Sequence, residues 1–116
     1  MGHTSRIIAE EKVTAVFGEW PAFHDAEVQS VAFDRFDAKV SITLTLDAAL
    51  ASVTLRFADC ADVRVEDFGL QNVLFALDIV EAQGRLSVEL DASIGMEGSF
   101  TCSEVEVLDI HPKALS

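Results

Sequence analysis

The chain has 116 residues, half of them apolar, and its 20 acidic and 8 basic residues give a formal net charge of −12. This length suits one domain, and the apolar fraction excludes a fully disordered chain, because disorder requires low hydrophobicity. Phosphate groups repel an acidic protein, so direct binding to nucleic acid or to an anionic membrane is unfavourable. The charge favours cationic partners instead.

Patterns for targeting, membrane insertion and cysteine chemistry are missing from the sequence. No run of about 18 apolar residues indicates a transmembrane helix, and the amino end lacks the apolar stretch of a signal peptide. Cys60 and Cys102 have no second cysteine at the spacing of zinc or redox motifs. We therefore predict a single cytoplasmic domain over residues 1–116 with two reduced thiols.

A helix is predicted at the amino end, over residues 6–17. Its apolar side chains recur with the helical period and form one stripe, which consists of Ala9, Val13, Val16, Phe17 and Trp20. Gly18 suits the left-handed residue that ends many helices, and Pro21 prevents the helix from continuing.

From about residue 26 the apolar period changes to two, which is typical of strands with one buried face. The clearest example is 40–46, and the same alternation occurs in 53–57, 61–65 and 86–90. The pattern predicts that one set of side chains points inward: Val40, Ile42, Leu44, Leu46, Val53, Leu55, Phe57, Val63, Val65, Leu86, Val88 and Leu90.

Other segments refine this pattern. Residues 73–80 are interpreted as a strand that enters a tight turn at Gln83–Gly84. The parity of the apolar residues changes near Ser30, which indicates a bulge, and again between Cys102 and Val105, which indicates a bulge or a bend.

One helix followed by seven or eight strands on short connections predicts an α+β fold that is mostly β. We expect the amino-terminal helix to pack on an antiparallel sheet, folded as a sandwich or partial barrel, with strands over about 26–110.

The segment 17–28 combines aromatic and polar residues more densely than the rest of the chain. It contains Phe17, Trp20, Pro21, Phe23, His24, Asp25 and Glu27. A histidine beside carboxylates can bind a metal or exchange protons. However, an extended chain would point His24 and Asp25 to opposite faces, and no known metal-ligand spacing is present.

A structural role for this segment is the favoured interpretation. In that role Asp25 accepts backbone N–H bonds at a turn, and His24 packs beside Trp20 with its ring hydrogen-bonded. Binding to a partner is a third possibility. Asn72 is interpreted similarly, as a turn or bulge residue that satisfies backbone groups. No nucleotide or hydrolase motif occurs, so neither a catalytic residue nor a cofactor is predicted.

The residues 17–28, with Gln71-Asn72-Val73 and the glycine and cysteine pattern of 95–102, resemble the immunity protein 50 family. These are small bacterial proteins associated with polymorphic-toxin systems, and the resemblance spans roughly residues 15–108. It implies a protein that neutralises a cognate protein toxin by binding it, without chemistry of its own. The net charge fits a basic toxin, such as a nuclease.

The outward positions of the strands and the carboxy-terminal segment offer carboxylates for such a partner. We predict that the partner-binding residues are Asp62, Glu66, Glu89, Asp91, Glu104 and Glu106. Two alternatives stay open at this point. One is a small metal-binding protein or enzyme that uses His24, Asp25 and Glu27. The other is a non-catalytic structural module whose polar strand faces mediate self-association, so a homo-oligomer is possible.

Overall fold

The computed structural model describes residues 6–113. Eight strands and one short helix follow one another along this part of the chain. They are β1 (Ile7–Ile8), α1 (Glu11–Phe17), β2 (Glu27–Phe36), β3 (Lys39–Asp47), β4 (Ala51–Glu66), β5 (Val73–Ala82), β6 (Arg85–Ile94), β7 (Glu97–Cys102) and β8 (Glu104–Pro112).

The strands form one sheet that curls into a partial barrel, as the alternating pattern predicted. β4 is the longest strand and pairs with β3 along one edge. Its other edge pairs first with β8 and then with β7. Six strands, in the order β4-β3-β2-β5-β6-β7, thereby form a ring, and β8 and β1 extend the sheet beyond β4.

The ring closes at a short seam between the segment before β2 and the start of β5. Four backbone hydrogen bonds of 2.8–3.0 Å join residues 22–28 to residues 72–77. Within the seam, Glu27 pairs directly with Val73. Residues 17–28, which we call the polar–aromatic segment, therefore supply one side of the contact that completes the ring.

The inside of the ring is a continuous apolar core. Nine of the twelve side chains predicted to point inward are buried, and Phe57 contacts Phe100 edge-on at a centroid distance of 5.0 Å. Leu74, Leu77 and Ile79 of β5 are also buried, which confirms the interpretation of 73–80 as a strand. The turn at Gln83–Gly84 follows β5 with both φ angles positive.

The predicted start of the helix is wrong. Residues 6–10 are not helical: Ile7 and Ile8 form a parallel pair with Val105 and Glu106 of β8. Ala9 has a φ of 62°, which interrupts a helical path. The buried side chain of Ile7 explains the difference, because a sheet partner can override local propensity. Within residues 6–113, no helix is long and apolar enough to span a membrane.

The prediction that Val63 points inward is also wrong. Residues 51–66 form the single strand β4, and an irregularity in its pairing with β7 lies between Ala61 and Arg64. Asp62 has a φ of 53° there, and Val63 is 41% exposed. An extra residue in a strand reverses the inward and outward positions that follow, and Val40 and Val65 near this irregular region are only half-buried.

Two other irregularities occur where the sequence predicted them. The β2–β3 register shifts between Val28 and Ser30. The chain bends at Ser103, between β7 and β8. Before this bend β7 pairs with the second half of β4, and after it β8 pairs with the first half. These parity changes were visible in the sequence because apolar residues flank each of them.

The substitution Leu44→Ala should lower the free energy of unfolding by about 2–5 kcal/mol, because it removes methyl groups from a fully packed core. Leu44 is 1% exposed. Val63→Ala, the control on the exposed side of the irregularity, should change this free energy by less than ~0.5 kcal/mol. Chemical denaturation measures both. Equal losses for the two variants would contradict the assignment of Val63 to the surface.

Candidate functional site

The polar–aromatic segment divides into a buried half and an exposed half. Trp20 and Phe23 are buried and contact each other edge-on, with ring centroids 5.8 Å apart. Phe17 meets Phe23 in the same way at 6.2 Å. This aromatic cluster joins the end of α1 to the seam of the ring.

His24 and Asp25 form the exposed half. Their side chains are 58% and 74% exposed, and His24 Nδ1 lies 3.4 Å from Asp25 Oδ2. The expectation that His24 packs beside Trp20 is wrong: its ring instead contacts Phe75 edge-on, at 5.3 Å. The alternation of buried and exposed residues explains the difference, because Phe23 turns inward and leaves its neighbour on the outside.

The backbone that presents His24 adopts an unusual conformation. Phe23 and Asp25 have φ angles of 59° and 67°, a region that costs non-glycine residues on the order of 1–3 kcal/mol each. The burial of Phe23 and Ala26 and the hydrogen bond from Asp25 N–H to the Leu74 carbonyl hold this conformation. Asp25 therefore joins the seam through its backbone, whereas its carboxylate faces solvent.

An open cleft of about 360 Å³ adjoins the exposed half. His24, Asp25 and Glu27 line one side, and Asp47 and Lys113 also line it. Lys113 Nζ lies 2.8 Å from Asp47 Oδ1, so one of the carboxylates already has a cationic partner. The cleft can admit a polar or charged group of another molecule.

Asn72 is a buried polar residue whose side chain binds backbone groups of two loops. Its buried Oδ1 accepts hydrogen bonds from Gly69 N–H at 2.9 Å and Met96 N–H at 3.1 Å, and its Nδ2 donates to the Gly69 carbonyl. Gly95 passes so close that a Cβ there would lie 2.6 Å from Asn72 Oδ1. The side chain thereby ties the loop before β5 to the loop before β7.

A second candidate site lies on the outer surface of β4, β7, β6 and β5. Cross-strand pairing places Arg64 beside Ser99, Ser99 beside Glu89, and Glu89 beside Asp78. Carboxylates dominate this surface, which lines a shallow cleft of about 310 Å³. We call it the acidic face and define it as Glu66, Asp78, Glu89, Asp91 and Glu97.

Like charges face each other directly within the acidic face. Glu66 is opposite Glu97 in the β4–β7 pair, and Asp78 is opposite Glu89 in the β5–β6 pair. Carboxylate oxygens of Glu66, Asp67 and Glu97 lie within 4.8 Å of one another, as do those of Asp78, Glu89 and Asp91. Like charges at directly opposite positions destabilise a sheet, so this surface costs the free protein some stability.

The structure places three of the six predicted partner-binding residues together and the other three elsewhere. Glu66, Glu89 and Asp91 belong to the acidic face, whereas the others lie outside it. Asp62 is exposed at the irregularity in β4. Glu104 and Glu106 are on β8, beside the first half of β4, where Glu106 forms an ion pair with Arg56 at 3.3 Å.

Two members of the acidic face, Asp78 and Glu97, were missed by the sequence analysis. Asp78 is the single charged residue within 73–80, and its outward position in that segment was the only signal in the sequence. Glu97 lies between Gly95 and Gly98, outside the alternating segments that the sequence analysis assigned to strands. Only the register of β7 against β4 shows that Glu97 lies opposite Glu66.

The residues that were considered for a metal do not form a three-ligand group. In the described part of the chain, the groups of three converging ligand side chains are the two carboxylate groups above, and neither includes His24. Burial raises the pKa of Cys60 to about 11 and that of Cys102 to about 12. Both thiols therefore remain protonated and weakly nucleophilic near neutral pH.

The comparison with known families agrees with the sequence resemblance. The model of the immunity protein 50 family matches residues 9–113, which include the aromatic cluster, the seam and the acidic face. The chain belongs to the immunity protein 50 family. No curated protein matches the chain significantly. Membership in this family suggests a non-catalytic protein that acts against a toxin.

The two halves of the polar–aromatic segment should respond differently to substitution. Phe23→Ala should lower the free energy of unfolding by about 3–5 kcal/mol, because it empties the aromatic cluster. His24→Ala removes an exposed ring and should change this free energy by less than ~0.5 kcal/mol. Thermal and chemical denaturation measure both. A large loss for His24→Ala would show that its contact with Phe75 supports the seam.

Proposed function

We propose that this immunity protein neutralises a toxin with a basic surface, and that the acidic face is the centre of the interface. The observation that carries the proposal is the direct opposition of carboxylates, Glu66 with Glu97 and Asp78 with Glu89. A basic partner would supply the cations that these pairs lack, so the repulsion present in the free protein would become attraction in the complex.

The remaining charge supports the same partner. Among the described residues, Arg64 is the single basic one that lines the cleft of the acidic face, and the whole chain has a net charge of −12. An acidic surface of this kind raises the association rate with a basic protein by long-range attraction. In this proposal Asp62, Glu104 and Glu106 contribute to the attraction from outside the central contact.

Neutralisation by binding requires no reaction on the immunity protein. In the complex, the immunity protein would cover the surface through which the toxin binds its target. A nuclease fits this proposal because the surface that binds nucleic acid must be basic. The acidic face would then occupy the position of the phosphate groups. Such an inhibitor depends on the shape and charge of its surface rather than on a catalytic group.

The double variant Glu66→Lys/Glu89→Lys should become more stable and less protective. Each new lysine faces a remaining carboxylate, so each pair should add roughly 0.2–1 kcal/mol to the free energy of unfolding. Binding to the toxin should weaken, because the contact surface then repels a basic partner. Denaturation measures the first effect. Coexpression with the product of the adjacent gene, scored by growth and co-purification, measures the second.

The matched control is Glu19→Lys/Glu104→Lys, which reverses two exposed carboxylates outside the acidic face and has the same net charge of −8 instead of −12, since each reversal adds two positive charges. It should reduce protection less than the first variant. Equal losses would assign the effect to net charge alone. If His24→Ala abolished protection while the thermal midpoint stayed unchanged, the interface would be the cleft beside His24, and the proposal would be wrong.

A further inference from the structure

The β2–β3 hairpin extends beyond the ring and leaves one edge of β2 without a neighbour. Within residues 6–113, β2 meets β5 only at Glu27, and from Ser30 to Phe36 it pairs with β3 alone. All of residues 32–39 are exposed on both faces. We call residues 29–41 the arm.

The turn of the arm determines which backbone groups face the free edge. Asp37 and Ala38 both have positive φ, as in the two-residue turns that match strand twist. Phe36 and Lys39, on either side of this turn, form its closing hydrogen-bonded pair. Because these pairs alternate along an antiparallel ladder, Val31, Phe33 and Arg35 direct their N–H and carbonyl groups away from β3.

The edge lacks several features that normally protect an edge strand. β2 is 10 residues long and contains no proline. Phe33 is 54% exposed and Phe36 is 83% exposed. A long, exposed edge with apolar side chains is a template for pairing with another strand. The irregularity between Val28 and Ser30 limits the usable edge to the part beyond it.

The charge of the arm favours a second copy of this chain as the occupant. The arm contains Asp34, Arg35, Asp37 and Lys39, so it is neutral in a chain of net charge −12. Two copies that approach through their arms therefore meet across segments without net charge, where repulsion between two acidic chains is smallest. A strongly basic partner finds more carboxylates elsewhere on the molecule, which makes the arm a poor site for it.

We propose that two copies of this chain pair antiparallel through the free edges of β2, with Phe33 opposite Phe33 across a two-fold axis. In this register Val31 faces Arg35 of the second copy, and the facing residues exchange backbone hydrogen bonds. A shift by two residues towards the turn would bring Asp34 against Asp34, which like-charge repulsion disfavours. The opposite shift would place Arg35 against Gln29, within the irregular part of β2, and would shorten the paired edge. The pairing is a two-fold, self-complementary contact and is independent of toxin binding.

Phe33→Pro tests the edge directly. Proline removes the N–H that faces the free edge, but it leaves the bonds of Asp34 and Ala32 to β3 in place. Light scattering over a series of protein concentrations should show the wild-type mass rising from 12.6 kDa towards twice that value. The variant should stay at the monomer mass. Higher salt should strengthen the dimer, because it screens the repulsion between two acidic molecules.

A charge variant provides a second measurement that does not depend on how the arm tolerates proline. Phe33→Lys places two lysines opposite each other in the proposed dimer and should abolish it. Ala32→Lys adds the same charge at an exposed position that faces Thr43 of β3 and, in the proposed dimer, Asp34 of the second copy, and it should retain the dimer. A wild-type protein that stays monomeric at every concentration and salt would overturn the proposal. So would a dimer that survives Phe33→Lys.

Cross-linking tests the register. Phe33→Cys should form a disulfide-linked dimer under mild oxidation, whereas Asp37→Cys, at the turn, should not. Cys60 and Cys102 should not interfere, because both are buried and their raised pKa values, about 11 and about 12, keep them protonated. Cross-linking of Asp37→Cys alone would overturn the proposed register.

Discussion

The long strand β4 is the element on which the rest of the structure depends, because both of its edges are paired. One edge pairs with β3, and the other pairs with β8 and then β7. Irregularities near Asp59 and Asp62, both with positive φ, lie between the two halves of β4, and such irregularities bend a strand. The second half thereby carries Arg64 and Glu66 to the acidic face.

The seam between residues 22–28 and 72–77 completes the ring at the opposite side. Its strained backbone at Phe23 and Asp25 is stabilised by burial of Phe23 and by hydrogen bonds across the seam. Asn72 connects the same region to the start of β7. Strained residues are maintained only where surrounding structure holds them, so the aromatic cluster explains how a polar pair, His24 and Asp25, is presented to solvent.

The sequence predicted the elements in which apolar residues recur regularly. The predictions were wrong where strand pairing overrides this local pattern. The alternation in β3 and β6 was sufficient to assign their buried faces. Ile7 and Ile8 were assigned to the helix because a local pattern cannot reveal their parallel pairing with β8, nearly a hundred residues away. Val63 was misplaced because an irregular strand reverses parity. The acidic face could be predicted only in part, since Glu97 joins Glu66 through the β4–β7 register.

The association rate with the cognate toxin, measured at increasing salt, tests the electrostatic account of neutralisation most directly. Screening shortens the Debye length from about 10 Å at 0.1 M to about 3 Å at 1 M salt. If carboxylates of the acidic face attract a basic toxin, the association rate should fall steeply over this range, whereas the dissociation rate should change much less. An association rate that is unchanged by salt would contradict the account and would make the acidic face a surface that serves solubility only.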